Sequence, residues 1–168
     1  AIGKNKSQLK IFDATAGSLI DTIIFLKLGH EVVACEQSKI LYRLLDDAIF
    51  RAKKEYNFFE KLSLINSDSA KIIDSYLDSD IFYFDPMFNK SNQNLKRSGL
   101  LQKISHILRH ESLDDTSRLI FEDLLKKKYR KIIIKRPIKS DPLRKENINY
   151  QVKGKAVRYD IYINSQSS

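Results

Sequence analysis

Short apolar runs that end in an acid recur along the first half of this chain, and stretches with apolar residues at helical spacing separate them. The runs are Lys10-Ile11-Phe12-Asp13, Glu31-Val32-Val33-Ala34-Cys35-Glu36, Leu62-Ser63-Leu64-Ile65-Asn66-Ser67-Asp68 and Ile81-Phe82-Tyr83-Phe84-Asp85. Such runs are too short for helices and rich in β-branched and aromatic residues, so they predict buried strands. Ile20, Ile23, Ile24 and Leu28 predict one helical face, with Ser18 and Asp21 as a candidate N-terminal cap and Gly29 as a C-terminal stop. Leu41, Leu44, Leu45, Ala48, Ile49 and Ala52 predict a second helix, opened by Ser38. A short helix through Ile72, Ile73, Tyr76 and Leu77 leads to the fourth strand. Strand and helix alternate with short connections, the pattern of a parallel, doubly wound sheet.

Beyond residue 88 the pattern changes. A polar, turn-rich loop over 89–94 precedes a helix carrying Leu100, Leu101, Ile104, Ile107 and Leu108, and a further helix is expected from Asp114 to about Lys128. Ile132-Ile133-Ile134 predicts a buried strand closed by Arg136-Pro137. A long basic loop then runs to a final alternating strand over 157–163, and a loop of that length in a compact domain tends to be functional or disordered. No internal repeat or linker divides the chain, so 1–168 reads as one domain.

The composition, 42% hydrophobic and 30% charged over 168 residues, supplies enough apolar material for one globular core. No apolar run approaches the ~18 residues of a membrane span, and the N-terminus lacks a signal-type apolar region; a soluble, cytoplasmic protein is expected. The single Cys35 lies inside an apolar run, which excludes a disulfide framework and a cysteine metal site. His106 and His110 are four apart but have no further ligand beside them, so no metal is expected.

Charge is divided unevenly. Residues 1–125 hold 17 basic and 18 acidic side chains, whereas 126–168 hold 13 basic and 3 acidic, so the whole excess of +9 lies in the last quarter. That is the electrostatic footprint of a polyanion partner, most simply nucleic acid, with Lys135, Arg136, Lys139, Lys155 and Arg158 among the candidate contacts.

Chemistry is most legible at Asp85-Pro86-Met87-Phe88. In an open α/β sheet ligands bind outside the carboxyl ends of the strands. An acid at such an end, a proline that stops the strand and an aromatic two residues on can grip a planar group bearing an amine. Asp85 and a following backbone carbonyl would accept its two N–H bonds while Phe88 stacks on the ring. The same residues also suit a plain Asx-Pro turn with a core phenylalanine. No G-x-G-x-x-G and no GxxxxGK[ST] is present, which argues against a nicotinamide oxidoreductase and a P-loop nucleotidase.

Taken in order, Asp13-Ala14-Thr15-Ala16-Gly17, Asp85-Pro86-Met87-Phe88, Lys135-Arg136-Pro137 and Gly154-Lys155 with Arg158-Tyr159-Asp160-Ile161-Tyr162 resemble the bacterial small-subunit rRNA guanine-N2 methyltransferase J family, within the class I S-adenosylmethionine-dependent methyltransferases. The resemblance implies a Rossmann-like class I methyltransferase fold, with a mostly parallel central sheet, helices on both faces and an antiparallel C-terminal strand. It implies S-adenosyl-L-methionine as cofactor and 16S rRNA or the small ribosomal subunit as partner. Asp13 and Gly17 would then shape the methionine pocket, Asp21 would contact the cofactor, Glu36 with Gln37 beside it would accept the ribose hydroxyls, and Asp68 and Ser69 would border the adenine. Asp85, Pro86 and Phe88 would form the catalytic centre where cofactor and target amine meet. The basic C-terminal quarter would hold phosphates, and the target base would leave its stack to reach the site.

Two departures accompany the likeness. The family turn usually runs Asp-Ala-Thr-Ala-Gly-Leu-Gly-Arg-Asp, whereas here Ser18-Leu19-Ile20-Asp21 follows Gly17, with Leu19 at the second glycine. The family also carries a further N-terminal segment without a counterpart here. Two alternatives accompany this reading: a non-catalytic RNA-binding domain with a degenerate cofactor pocket, and a methyltransferase acting on another nucleic-acid amine.

Overall fold

The computed structural model describes residues 2, 7–86, 99, 103, 106–107, 110–111, 113 and 116–164. Phe88, the polar loop over 89–94, and Leu100, Leu101, Ile104, Leu108 and Asp114 lie outside them.

Seven strands form one sheet in the order β3-β2-β1-β4-β5-β7-β6. They are β1 (Lys10–Asp13), β2 (Glu31–Glu36), β3 (Leu62–Asn66), β4 (Ile81–Phe84), β5 (Lys131–Pro137), β6 (Tyr150–Lys153) and β7 (Val157–Ile163). The first five pair in parallel, and β7 inserts antiparallel between β5 and β6. Helices whose bounds fall among the described residues are α1 (Ile20–Lys27), α2 (Lys39–Ala52), α3 (Ser69–Ile72), which continues into a 3-10 turn over Ile73–Tyr76, and α4 (Ser117–Leu124). The expected sheet with its antiparallel C-terminal strand is therefore the observed one.

Strand alternation sorts the side chains between two cores. Ile11, Val32, Ala34, Ile81, Tyr83 and Ile133 belong to one apolar cluster with Leu19, Phe25 and Leu26 of the α1 region and Ile49 of α2. Phe12, Cys35, Phe82, Phe84, Ile132 and Ile134 belong to the other, with Ile73 and with Ile120, Phe121 and Leu124 of α4. Because successive side chains point to opposite faces, Asp13, Asp85 and Lys135 fall on the α1 face with Tyr83. The sheet thus gathers charged groups on one face at its carboxyl edge.

Several expectations need correction. Helix α1 does not bury Ile20, Ile24 and Leu28, which are exposed; it buries Thr22, Phe25 and Leu26. Thr22 Oγ1 donates to Asp13 at 2.5 Å, and the Phe25 ring meets Tyr83 edge-on at 4.9 Å, so polar and aromatic contacts set the helix rotation against its aliphatic stripe. Ser18 does not cap α1; the residue before it is Leu19, with no side-chain cap. On α2, Leu41 and Ile49 are buried, Leu45 and Ala52 half-buried, and Leu44 and Ala48 exposed, so its apolar stripe is narrower than the periodicity implies. Finally, the long basic loop contains β6, whose four residues are all exposed. An edge strand that pairs with β7 and is exposed along its length leaves no apolar run in the sequence.

Two helix ends form as anticipated. The Ser38 hydroxyl accepts from Leu41 N at 2.9 Å, a conventional N-cap. Gly29 follows α1 with φ +92°, the left-handed conformation that ends helices. Asp68, expected to end the third strand, instead lies beyond β3 and caps α3, accepting from Ala70 N at 3.0 Å.

Candidate active site

The turn between β1 and α1 is built from its first residue. Asp13 is 2% exposed and accepts from Thr15 N at 3.1 Å and from Thr22 Oγ1. Burial pushes its carboxyl up to about 7, against those hydrogen bonds. Asp13 therefore shapes the turn from inside rather than presenting its oxygens to a ligand.

Gly17 follows with φ +53°, and its N–H points to Glu36 Oε2 at 3.0 Å. The other Glu36 oxygen accepts from Ser38 N at 2.8 Å. One carboxylate thus ties the first turn to the start of α2. Burial raises the Glu36 pKa, and the N–H groups of Ser38 and Gly17 oppose the shift. A carboxylate offers roughly four lone-pair positions; with the N–H groups of Ser38, Gly17 and Gln37 on Glu36, one remains for a hydroxyl group of a ligand. Gln37 is half-buried beside it, and Asn66 Nδ2 donates to the Glu36 carbonyl at 2.8 Å.

Leu19, at the glycine position of the family turn, has φ +59°. That backbone is left-handed and costs a non-glycine residue about 1–2 kcal/mol. Its side chain is 4% exposed and belongs to the apolar cluster under α1. Burying a leucine contributes about 1.5–3 kcal/mol, enough to offset the backbone cost. Leucine thus keeps a glycine-like path, and its side chain packs into the core.

At the third strand, Ser69 Oγ donates to the Ala14 carbonyl at 2.5 Å, which ties α3 to the first turn. Asp68 accepts from Ala70 N and, at 3.4 Å, from Thr116 Oγ1. Both residues follow β3 at the carboxyl edge of the sheet, with the Ser69 hydroxyl already engaged by backbone.

Asp85 directly follows β4. Its N–H donates to Thr15 Oγ1 at 2.7 Å, linking it to the first turn, and Pro86 behind it is buried. One carboxylate oxygen, Oδ2, accepts from Lys135 Nζ at 3.0 Å. The same ammonium donates to Asp21 Oδ2 at 2.7 Å, and Tyr83 Oη donates to that oxygen at 2.8 Å. Burial raises the Asp85 pKa, with Lys135 pulling it down and Asp21 pushing it up. Burial works against the Lys135 ammonium, but its hydrogen bonds and ion pairs with Asp21 and Asp85 outweigh it and raise its pKa above the usual lysine value. Burial, then the charges of Asp21 and Asp85, drive the Tyr83 phenol far upward, so it stays neutral and donates.

The expected cofactor residues Asp13, Gly17, Asp21, Glu36, Asp68 and Ser69 therefore line the carboxyl edge near Asp85. Thr15, Thr22 and Tyr83 also build the site and were not anticipated. Their signal lay in the pleat: Tyr83 shares a face with Asp85, and β5 pairs Ile134 with Phe84, placing Lys135 beside Asp85.

The basic residues expected to meet RNA divide in two. Lys139 and Lys155 are exposed. Lys135 points into the site, and Arg136 and Arg158 are 7% and 4% exposed. Arg158 pairs with Asp160 through two hydrogen bonds of 2.9 and 3.2 Å and donates from Nη1 to the carbonyls of Pro137, Ile138 and Ser140. Its charge anchors the start of the basic loop, so the expectation of an RNA contact fails for Arg158; burial removes Arg136 from that surface as well.

Among the described residues no cluster of three or more His, Cys, Asp or Glu could hold a metal ion. Nor is any helix among them long and apolar enough to cross a membrane.

Comparison with known proteins agrees with this geometry. A family model described as "Putative SAM-dependent methyltransferase" matches residues 1–164. Ribosomal RNA small subunit methyltransferase J of Francisella philomiragia is 32% identical over 95% of this chain and 68% of its own length. The protein of the same name from Bdellovibrio bacteriovorus is 28% identical over 97% of this chain and 64% of its own. The crystal structure of a SAM-dependent methyltransferase from Neisseria gonorrhoeae superposes with a TM-score of 0.71 at 24% identity, covering 96% of this chain and 64% of that one. The chain thus spans about two thirds of the length of these relatives. A β1–α1 turn closed on a carboxylate at the end of β2, an acid-proline at the end of β4, and the two agreeing comparisons place this chain in the S-adenosylmethionine-dependent methyltransferases, in the family of the ribosomal RNA small subunit methyltransferase J proteins.

Proposed function

We propose that this chain carries the catalytic domain of an enzyme that transfers a methyl group from S-adenosylmethionine to the exocyclic N2 of a guanine in small-subunit rRNA. The observation that carries this reading is Asp85. Its carboxylate is held at the end of β4 on the sheet face of Asp21, and among the described residues its Oδ1 accepts no hydrogen bond. The relatives named above act, by their names, on small-subunit ribosomal RNA.

The residues present fit the cofactor. Glu36 retains acceptor capacity for a ribose hydroxyl beside the Gly17 backbone, and Asp21 and Asp85 against one Lys135 leave a net negative site for a cation. When bound, the cofactor supplies an already activated methyl on a sulfonium. The protein's task is then alignment and charge stabilisation more than acid-base chemistry. As the new N–C bond formed and the S–C bond broke to release S-adenosylhomocysteine, positive charge would grow on the amine nitrogen. Asp85 would accept an N–H of that amine, stabilise the charge and take the proton that the methylated nitrogen sheds, and Pro86 fixes the backbone beside it. Phe88 is the proposed stacking surface for the base.

The chemistry of the single cysteine favours an amine over a pyrimidine carbon as the acceptor. Methylation at such a carbon uses a thiolate to activate the ring. Cys35 is 1% exposed, donates to the Ser67 carbonyl, and burial pushes its thiol up to about 11. No thiolate is on offer.

Lys139, Arg144, Lys145, Lys153 and Lys155 are exposed along the loop, β6 and the following turn, a surface suited to phosphates. A ribosomal substrate places the activity in the cytoplasm.

Calorimetric titration with S-adenosylhomocysteine tests the cofactor site. Micromolar binding is expected, and Glu36→Gln is expected to weaken it about tenfold to a hundredfold, the value of hydrogen bonds to a charged group. Unchanged affinity in a folded variant would remove Glu36 from the ribose site.

A further inference from the structure

Lys135 stood out in the sequence as one of many basic residues facing RNA, yet its ammonium bridges two carboxylates from distant elements. Asp21 comes from the first turn of α1 and Asp85 from the end of β4, at 2.7 and 3.0 Å from Nζ. The Lys135 side chain is 21% exposed and that of Asp21 16% exposed. An ammonium that swung out to a phosphate would leave two half-buried carboxylates facing each other uncompensated. Like charges so placed disfavour joint ionisation. The bridge has a second consequence: it engages Asp85 through Oδ2, fixing the carboxylate orientation, while Oδ1 accepts no hydrogen bond from the described residues.

We infer that Lys135 is a positioning residue for methyl transfer: by clamping Asp85 to Asp21 it keeps the Asp85 carboxylate charged and aimed at the target amine. The inference rests on the role proposed for Asp85. Among the described residues, the charged and titratable groups facing the clamp all bear on it. From β1 Asp13 adds to the negative field felt at this edge, from α1 Asp21 repels Asp85, and from β4 Tyr83 donates to Asp21 as a neutral phenol. From β7 the Tyr159 phenol, raised first by burial, feels all three charges. Lys135 is the one cation among these groups. Among the described residues its removal leaves burial and Asp21 acting on Asp85, and both favour the protonated form.

The sign of the effect is fixed by this arrangement. Asp85 must be ionised to accept the amine hydrogen, so transfer is lost as pH falls through its pKa. Lys135 lowers that pKa, so neutralising position 135 moves the acid limb of kcat/KM to higher pH. An opposite charge at such a distance shifts a carboxylate by about 1–3 pH units, which sets the expected displacement in Lys135→Met. Lys135→Gln, with a neutral polar side chain, is expected to show the same displacement, and Lys135→Arg to keep the limb near its original position.

The test pairs two readouts on the same proteins. Methyl transfer to small subunits lacking the modification is followed across pH, and the Asp85 carboxyl carbon is titrated by NMR, assigned by its loss in Asp85→Asn. A limb and a carboxyl titration that both move up in Lys135→Met and Lys135→Gln support the clamp. Active wild-type protein with neither moved in a folded neutral variant overturns it. If the wild-type protein transfers no methyl group, the proposed function fails by itself, and the carboxyl titration still decides whether Lys135 controls Asp85.

Discussion

Asp85→Asn is expected to lower methyl transfer by about 10²–10⁴-fold while leaving S-adenosylhomocysteine affinity largely unchanged. The range is that of removing one charge-stabilising or proton-accepting group from a prepared site. The substitution keeps the shape of the side chain and the Asp85 N–H bond to Thr15, so the link between β4 and the first turn survives. It replaces a carboxylate by an amide whose NH₂ cannot accept from the target amine. Lys135 keeps Asp21 as partner, so the ammonium is not stranded. Glu36 and Gly17 are untouched, which is why affinity and rate should separate. Single-turnover kinetics with saturating cofactor, alongside calorimetry, measure both. Parallel loss of binding and rate would make Asp85 a cofactor residue only.

Arg158→Met is expected to destabilise the fold by about 3–5 kcal/mol, the cost of leaving a buried charge without its partner. Asp160 is 0% exposed, and the Arg158 and Asp160 side chains are 5% and 1% exposed. Gln151 Nε2 also donates to Asp160 at 2.6 Å, so the pair joins β6 to β7 as well as holding the loop after Pro137. With Arg158 gone, the Asp160 charge keeps that amide and the field of the neighbouring Arg136, but loses its hydrogen-bonded ion-pair partner. The double variant Arg158→Met/Asp160→Leu removes both charges and is expected to recover much of the loss, because a matched apolar pair carries no desolvation penalty. Urea denaturation of the three proteins checks this. A single variant as stable as the double would show that the pair carries little of the fold's stability.

That result bears on how charge is read from a sequence. The excess of basic residues after position 126 is real, but the ion pairs sort it. Arg158 is committed to Asp160 and three carbonyls, Lys135 to Asp21 and Asp85, and the chain positions involved in the last case are 114 residues apart. No local pattern encodes such a partner. Lys139 and Lys155, by contrast, lie on the surface as a solvated basic loop implies.

Strands read well because both faces of a parallel sheet are buried, leaving continuous apolar runs such as Val32-Val33-Ala34-Cys35 that match β2 to the residue. The acids at their ends were legible for the same reason: Glu36 and Asp85 interrupt runs that would otherwise stay apolar. Strand β6 was not legible, since all four of its residues are exposed and it buries no apolar run. The rotation of α1 differs from the periodicity because the aliphatic stripe of Ile20, Ile24 and Leu28 is not the face that Thr22, Phe25 and Leu26 dock. Thr22, a polar residue, decides the rotation through Asp13. Leu19 looked like a break in the cofactor turn; its backbone shows that the position demands a left-handed conformation and that leucine meets the demand.

The most direct measurement of the central claim is transfer of isotopically labelled methyl from S-adenosylmethionine to small ribosomal subunits lacking the modification, followed by digestion of the rRNA to nucleosides and mass analysis. The account predicts label in N2-methylguanosine of 16S rRNA, abolished by Asp85→Asn. Label in another nucleoside would contradict the acceptor assigned to Asp85. A cofactor-binding protein that transfers no label to the subunit or to free rRNA would contradict the proposed activity itself.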